Sequence, residues 1–160
     1  MAIKLSILPH QTACLEATSR VFEGVPLQEG LDIYQNPVFA VDDERIQENI
    51  SEIQSGDDEH KAIPRPYRTK RDDGVLGLDI RMETGTGKTY CYTRLMYELN
   101  KRYGFYKFIV LVPTTPIKEG TRSFIEADYS KQHFADLYPG RSISLSVLNA
   151  QKKTKGRKMF

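Results

Sequence analysis

The feature that most constrains the fold is a glycine-containing run between two apolar segments. Residues 75–82 (VLGLDIRM) are strand-like, and the loop ETGTGKT (83–89) follows them directly. Apolar side chains then recur at helical spacing before Gly104: Tyr92, Leu95, Met96 and Leu99. The next segment, KFIVLVP (107–113), contains an unbroken run of apolar residues, which is typical of a parallel strand buried on both faces. Strand, loop, helix and strand form a βαβ unit, so the sequence predicts an α/β fold.

The loop contains the residue types that a phosphate site needs. It fits the P-loop pattern G-x-x-x-x-G-K-[ST], except that Met82 occupies the position of the first glycine. Glycines bring backbone N–H groups close to phosphate oxygens, the lysine neutralises the β- and γ-phosphates, and the final hydroxyl ligates Mg²⁺. We therefore expect a site for a nucleoside triphosphate rather than an incidental strand-to-helix turn. Its residues are Thr84, Gly85, Thr86, Gly87, Lys88 and Thr89.

Methionine at the first glycine position is typical of superfamily 2 helicases and translocases. The longer segment LDIRMETGTGKTYCYTRLMYELNKRYGFYKFIVLVPTTPIKEGT resembles the start of the motor domain in restriction (Res) subunits of type III restriction-modification enzymes. The likeness runs from about residue 77 to 121 and is weaker in LPHQ and ERIQENISEIQ. It implies a partial RecA-like parallel sheet, ATP and Mg²⁺, and a DNA translocase coupled to a separate C-terminal nuclease. The implied partners are double-stranded DNA and a modification (methyltransferase) subunit that recognises the DNA sequence.

The resemblance also assigns roles to residues outside the loop. It makes Lys88 catalytic and places Gln11 where related motors carry an adenine-reading glutamine, although Gln11 alone also fits an ordinary helix-surface residue. VPTTPIKEGT corresponds to a motif that lies along the DNA backbone, against the alternative of a plain strand-to-helix loop. The implied DNA contacts are Pro113, Thr114, Thr115, Lys118 and Gly120.

The remaining chain divides into helices and polar connections. Helical spacing predicts a helix from Pro9 to the stop at Gly24, whose apolar face is Ala13, Cys14, Ala17 and Val21. A second helix is predicted over 41–56, capped by Asp42 or Asp43, with Ile46, Ile50 and Ile53 on one face. We expect an N-terminal helix with a Q-like motif (1–23), a polar helical insertion (24–74) and the first part of a RecA-like lobe (75–160). In that lobe, 115–129 is predicted as a helix and 142–150 as a third strand.

Composition excludes several classes of protein. The chain has 23 Lys+Arg and 21 Asp+Glu, so its net charge of +2 identifies no partner. Eight acids in 40–60 suggest a solvated insertion, and five bases in 151–160 suggest a solvated end. Cys14 and Cys91 lack metal-ligand spacing and are expected to be reduced thiols. Without a signal peptide or a run of 18 apolar residues, we expect a cytoplasmic protein and no membrane span.

The residues after Thr121 lack the later motifs of such a motor, including an acid box, an arginine finger and a PD-(D/E)xK nuclease. Asp43 and Glu44 precede the loop and are expected to begin a helix rather than to serve as that acid box. We therefore expect an N-terminal piece, with an incomplete sheet, that binds nucleotide without hydrolysing it. The alternatives are another superfamily 2 DNA or RNA motor, a free-standing nucleotide-binding or small kinase-like protein, and a non-catalytic remnant.

Overall fold

The computed structural model describes residues 4–28, 34–57, 61–65 and 76–148. These residues contain five helices: α1 (Pro9–Arg20), α2 (Glu44–Ser55), α3 (Lys88–Tyr103), α4 (Thr115–Glu126) and α5 (Asp128–Leu137). The basic end at 151–160 and most of the predicted connection at 57–74 lie outside the described residues. The end of the predicted strand at 142–150 and His60 also lie outside them.

Helix α1 begins at Pro9 as predicted, because a proline ring suits the first turn of a helix. Its buried positions are Gln11, Leu15 and Ser19, whereas Ala13, Cys14 and Ala17 of the predicted face are half-buried. Leu15 is only 1% exposed. The buried line follows α3, which is the main packing partner of α1. The predicted face was centred on small residues, whereas the observed face is centred on Leu15. A leucine buries more apolar area than an alanine or a cysteine, so Leu15 takes the buried position.

Helix α2 confirms the prediction for 41–56. Asp43 is its N-cap and accepts a hydrogen bond from the Arg45 backbone N–H at 2.9 Å. Ile46 and Ile50 are buried. The Asn49 side chain donates to the carbonyls of Val21 and Glu23 at 3.1 and 2.8 Å, which satisfies acceptors just after the end of α1.

The buried apolar side chains form two clusters. The first joins the segment after α1 to α2 and to the second residue after α3: Val21, Phe22, Val25, Ile46, Ile50 and Phe105. The second joins α3 to α5 through a stack of rings, in which Tyr97 lies 5.0 Å from Phe134 and 5.2 Å from Tyr138. Helix α5 was not predicted as a separate element. The chain leaves α4 at Ala127, whose extended backbone (φ −64°, ψ 136°) lets α5 begin at the next residue.

The predicted parallel sheet is not seen in the described part of the chain. Segments 76–82, 107–113 and 141–148 have no strand pairing, and the isolated antiparallel bridge between Gln28 and Val38 lies elsewhere. Ile109 and Leu111 are 85% and 89% exposed, so the predicted burial of this segment on both faces is not seen in the described residues. A parallel strand needs neighbours for its N–H and C=O groups and helices over its faces, and no described segment pairs with 107–113 in this way.

The predicted apolar face of α3 is accordingly only half-buried: Tyr92, Leu95, Met96 and Leu99. The buried positions lie towards α1 and α5 instead, at Tyr90, Cys91, Thr93, Tyr97 and Glu98. Burial opposes ionisation of the Glu98 carboxyl, but hydrogen bonds from Arg102 (2.6 Å) and Tyr138 (2.8 Å) lower its pKa overall.

Candidate nucleotide-binding site

The loop at 84–89 has the backbone of an anion site. Gly85 and Gly87 have φ values of 82° and 84°, a region that residues with a Cβ rarely adopt. Gly87 is the N-cap of α3, and no side chain caps that terminus. The first N–H groups of a helix have no intrahelical acceptor and lie at the positive end of the helix dipole. The start of α3 is therefore suited to bind a phosphate.

Two side chains of the loop converge on a single carbonyl oxygen. Lys88 Nζ donates to the Glu83 carbonyl at 2.6 Å, and Thr86 Oγ1 donates to the same oxygen at 2.7 Å. The ammonium group thus folds back over the loop that it follows in sequence. A phosphate oxygen is a stronger acceptor than this carbonyl, because the resulting hydrogen bond joins opposite charges. The geometry allows Lys88 to exchange the carbonyl for a phosphate with a side-chain movement.

The first turn of α1 lies against the same loop. Gln11 Nε2 donates to the Thr86 carbonyl at 3.2 Å, while Gln11 Oε1 accepts the Leu8 backbone N–H at 3.3 Å. His10 Nε2 lies 3.0 Å from the Thr86 carbonyl and donates to it in the Nε2–H tautomer. His10 was not among the predicted site residues, although its position beside Gln11 in LPHQ is a signal that could have identified it.

Close approach of Gln11 gives Gly87 a second reason to be glycine. A Cβ at this position would lie 2.5 Å from Gln11 Nε2, whereas a Cβ at Gly85 would meet nothing within 4 Å. Gly85 is therefore favoured by its backbone conformation alone. At Gly87 a Cβ would in addition force the Gln11 amide to move, which would disturb its hydrogen bond to Thr86.

Thr89 provides the hydroxyl predicted to ligate Mg²⁺. It is half-buried in the first turn of α3, next to Lys88, and its carbonyl accepts a hydrogen bond from Thr93 Oγ1 at 2.7 Å. Mg²⁺ usually takes one or two protein oxygens and fills its other positions with water and phosphate, so one hydroxyl beside an anion site fits this metal. The described residues contain no group of three or more His, Cys, Asp or Glu side chains that could hold a metal by themselves.

The residues predicted to contact DNA lie at the start of α4. Pro113, Thr114, Thr115 and Gly120 are exposed and Lys118 is half-buried. Thr114 is the N-cap of α4 and makes no side-chain capping bond. The Tyr92 hydroxyl lies 2.8 Å from Thr121 Oγ1, so α4 is attached to the helix that follows the phosphate loop. A hydrogen bond thus joins the elements that carry the two predicted sites.

A sequence model of the family described as "Type III restriction enzyme, res subunit" matches residues 4–159. The chain belongs to this Res family. Its predicted resemblance to Res subunits is therefore confirmed. Membership brings a helicase-like P-loop fold, in agreement with the backbone of loop 84–89.

Three Res subunits of type III restriction-modification enzymes are similar to this Res-family chain. It is 38% identical over 162 residues to the StyLTI Res subunit of Salmonella typhimurium strain LT2, covering 100% of this chain and 14% of that protein. It is 36% identical over 149 residues to the EcoPI Res subunit of Escherichia phage P1 and 34% identical over 155 residues to the EcoP15I Res subunit of Escherichia coli. Each of these two matches covers 91% of this chain and 15% of the relative. The chain thus spans about one seventh of the length of these relatives.

No described helix of the Res-family chain combines the length and the apolar composition that a bilayer span requires.

Proposed function

We propose that this chain is the ATP-binding part of a Res-type motor and that loop 84–89 holds the triphosphate. The observation that carries the proposal is the uncapped start of α3 at Gly87, with the Lys88 ammonium folded over the loop beside it. A helix terminus, two positive-φ glycines and a lysine together favour a polyphosphate over a singly charged anion.

Each loop residue has a role in this proposal. The N–H groups of residues 84–89 surround the β-phosphate, and Lys88 is the catalytic residue that offsets charge on the β- and γ-phosphates. Thr89 holds Mg²⁺, which when bound supplies further positive charge at the same phosphates. Gln11 contacts adenine through its side-chain amide. Its hydrogen bonds to Thr86 and Leu8 use one amide hydrogen and one oxygen lone pair, and the second of each remains for the base.

The proposed sheet is the RecA-like parallel sheet of the motor. Its strands are 75–82, 107–113 and 142–150, within a lobe over 75–160 that follows the N-terminal helix (1–23) and the polar insertion (24–74). The unbroken apolar run over 108–112 supports this proposal, since it places apolar side chains on both faces, which suits a central strand that has neighbours on either side.

The proposed role of the whole protein is ATP-dependent movement on double-stranded DNA coupled to DNA cleavage. The exposed start of α4, with Thr114, Thr115 and Lys118, would contact the DNA phosphates without sequence preference. A modification subunit would recognise the sequence, and the complex would act in the cytoplasm. The support is the similarity to the three relatives, which are Res subunits of type III restriction-modification enzymes.

The test is a titration of the purified chain with fluorescent ATP and Mg²⁺, beside Lys88→Ala and the control Lys131→Ala. Lys131 is an exposed lysine on α5, so its removal changes net charge equally without touching the loop. We expect Lys88→Ala to weaken binding at least about tenfold, because it removes a charge-assisted hydrogen bond to phosphate. Lys131→Ala should bind like the unmodified chain.

Thermal melts of the three proteins separate a lost contact from a lost fold. Equal binding by Lys88→Ala and the unmodified chain would contradict the proposed triphosphate site.

Hydrolysis is followed in parallel with and without duplex DNA, and we expect none from this chain. DNA-stimulated turnover would contradict the expectation that it lacks a hydrolytic carboxylate, and Asp43 and Glu44 would then be replaced in turn.

A further inference from the structure

The two cysteines are far apart in sequence but line one cavity next to the phosphate loop. Cys14 belongs to α1 and Cys91 to the first turn of α3, and both thiols line a cavity of about 170 Å³ between these helices. Cys91 Sγ donates to the Gln11 carbonyl at 3.9 Å, one helical turn before Cys14 on α1. Both are free thiols in this structure. The rest of the cavity is mostly apolar, lined by Leu15, Ile80, Met82, Lys88, Tyr92 and Leu95.

We propose that Cys14 and Cys91 form a redox-active thiol pair, a modification site that peroxides oxidise to a disulfide between α1 and α3. Both thiols line one cavity between packed helices, so an approach of α1 to α3 at this point brings the two sulfurs towards the bonding distance of a disulfide, about 2.05 Å. Cys14 is half-buried and is the thiol that a small oxidant reaches, whereas Cys91 is 6% exposed and acts second.

The local environment favours Cys14 as the attacking group. The neighbouring Cys91 thiol lowers the pKa of the Cys14 thiol to about 7, aided by Thr18 and His10, while burial opposes the shift. The neighbouring Cys14 and burial instead raise the pKa of the Cys91 thiol. A larger thiolate fraction makes a cysteine a better nucleophile towards peroxide.

The oxidation balances with hydrogen peroxide as the oxidant. The Cys14 thiolate attacks one peroxide oxygen, the O–O bond breaks, and the departing hydroxide takes a proton to become water. The Cys91 sulfur then attacks the Cys14 sulfenic sulfur, forming the S–S bond and breaking the S–O bond. The second hydroxide leaves with the Cys91 proton as water. Two thiols and one peroxide thus give one disulfide and two waters, and a dithiol reductant reverses the change.

The disulfide would affect the phosphate loop through α1 and α3, the two helices that hold the loop in place. Cys91 N–H donates to the Gly87 carbonyl at 2.9 Å, and Cys14 lies one helical turn after Gln11, which holds Thr86. Oxidation removes the Cys91 hydrogen bond to Gln11 and draws α1 towards α3 at this point. We expect the oxidised chain to bind ATP at least about threefold more weakly than the reduced chain. This consequence rests on the proposed nucleotide site, but disulfide formation does not.

The experiment treats the full chain with hydrogen peroxide and follows intact mass and free thiols, beside Cys14→Ser and Cys91→Ser. The expected product is a monomer that has lost both thiols and about 2 Da, melts at a higher temperature and is restored by dithiothreitol. Neither single-serine variant should lose 2 Da. Independent oxidation of each thiol to a sulfinic acid, cross-linked dimers, or thiols that persist while those of a cysteine peptide are consumed would each overturn the proposal.

ATP titrations of the reduced and oxidised chains complete the test. If the reduced chain does not bind ATP, the proposed nucleotide site fails, while the mass and thiol measurements still decide the fate of the thiol pair. Equal affinity in both states would overturn the coupling to the loop. Cys14→Ser carries its change at a half-buried position, so it provides a folded control if Cys91→Ser is unstable.

Discussion

The Gln11 side-chain amide donates to the Thr86 backbone carbonyl at 3.2 Å and thereby attaches the first turn of α1 to the phosphate loop. Gln11 is 4% exposed and Thr86 is half-buried, so the bond is only partly accessible to water. Loss of one partner from such a bond weakens the attachment of the loop to α1. The arrangement separates two roles for Gln11, namely positioning the loop and reading the base.

Replacing Gln11 by alanine should weaken nucleotide binding and destabilise the fold by about 1 kcal/mol, because the Leu8 N–H loses its side-chain acceptor while the Thr86 carbonyl keeps only its contact with His10. ATP and GTP titrations decide between the two roles. Loss of affinity for ATP alone indicates adenine reading, and equal loss for both nucleotides indicates positioning of the loop. Gln132→Ala, at an exposed position of α5, is the matched control and should change neither the affinity for ATP nor that for GTP.

The two loop glycines should differ in their response to alanine. Both substitutions place a Cβ at positive φ, at a cost of about 1–2 kcal/mol, but only the one at Gly87 meets Gln11 Nε2. We expect Gly87→Ala to reduce ATP affinity and melting temperature more than Gly85→Ala. Adding Gln11→Ala should recover part of the Gly87→Ala loss in melting temperature, because it removes the clashing group. Strictly additive losses in this double-mutant cycle would contradict the steric explanation.

The His133 imidazole should make stability depend on pH. Burial and the positive charge of Arg94 lower its pKa below 6.5, against an opposing contribution from Asp136. The unfolded chain therefore binds this proton more readily than the folded chain, and its stabilising contribution is complete above pH 6.5 and declines as pH falls through that value. Urea unfolding at about pH 7.5 and about pH 5.5 measures the decline.

The control for this titration is His133→Gln, whose amide can still bond to the Tyr90 hydroxyl that lies 2.9 Å from His133 Nε2. We expect the difference in unfolding free energy between the two pH values to be smaller in this variant. The other two histidines are present in both proteins, so their titration cancels in the comparison. An unchanged difference would assign the pH dependence to other groups.

The ring stack between α3 and α5 should dominate the stability of this end of the molecule. Phe134 is 1% exposed and stacks on Tyr90 and Tyr97, so Phe134→Ala should cost about 3–5 kcal/mol. Phe108 is 37% exposed, and Phe108→Ala should cost only about 0.5 kcal/mol. Denaturant unfolding of both variants checks the difference, and similar losses would mean that Phe108 is packed as tightly as Phe134.

The sequence by itself determined the phosphate loop, the family and most of the helices. These follow from local rules: glycine at positive φ, Pro9 in a first turn, Asp43 as an N-cap, and apolar residues at helical spacing. Such signals lie within a few residues of the structure that they specify, so they can be read without knowing what packs against them.

Only the tertiary structure decided which faces are buried and which residues meet. The packing of α1 on α3, the ring stack of α5, the contact of His10 with the loop and the cavity shared by Cys14 and Cys91 each join residues distant in sequence. The predicted strand at 107–113 shows the same limit, because pairing and burial depend on neighbours that a strand's own residues do not specify. Local propensity favours a helix or a strand at a given place in the sequence, and the free energy of burying that element against its partners decides where it lies.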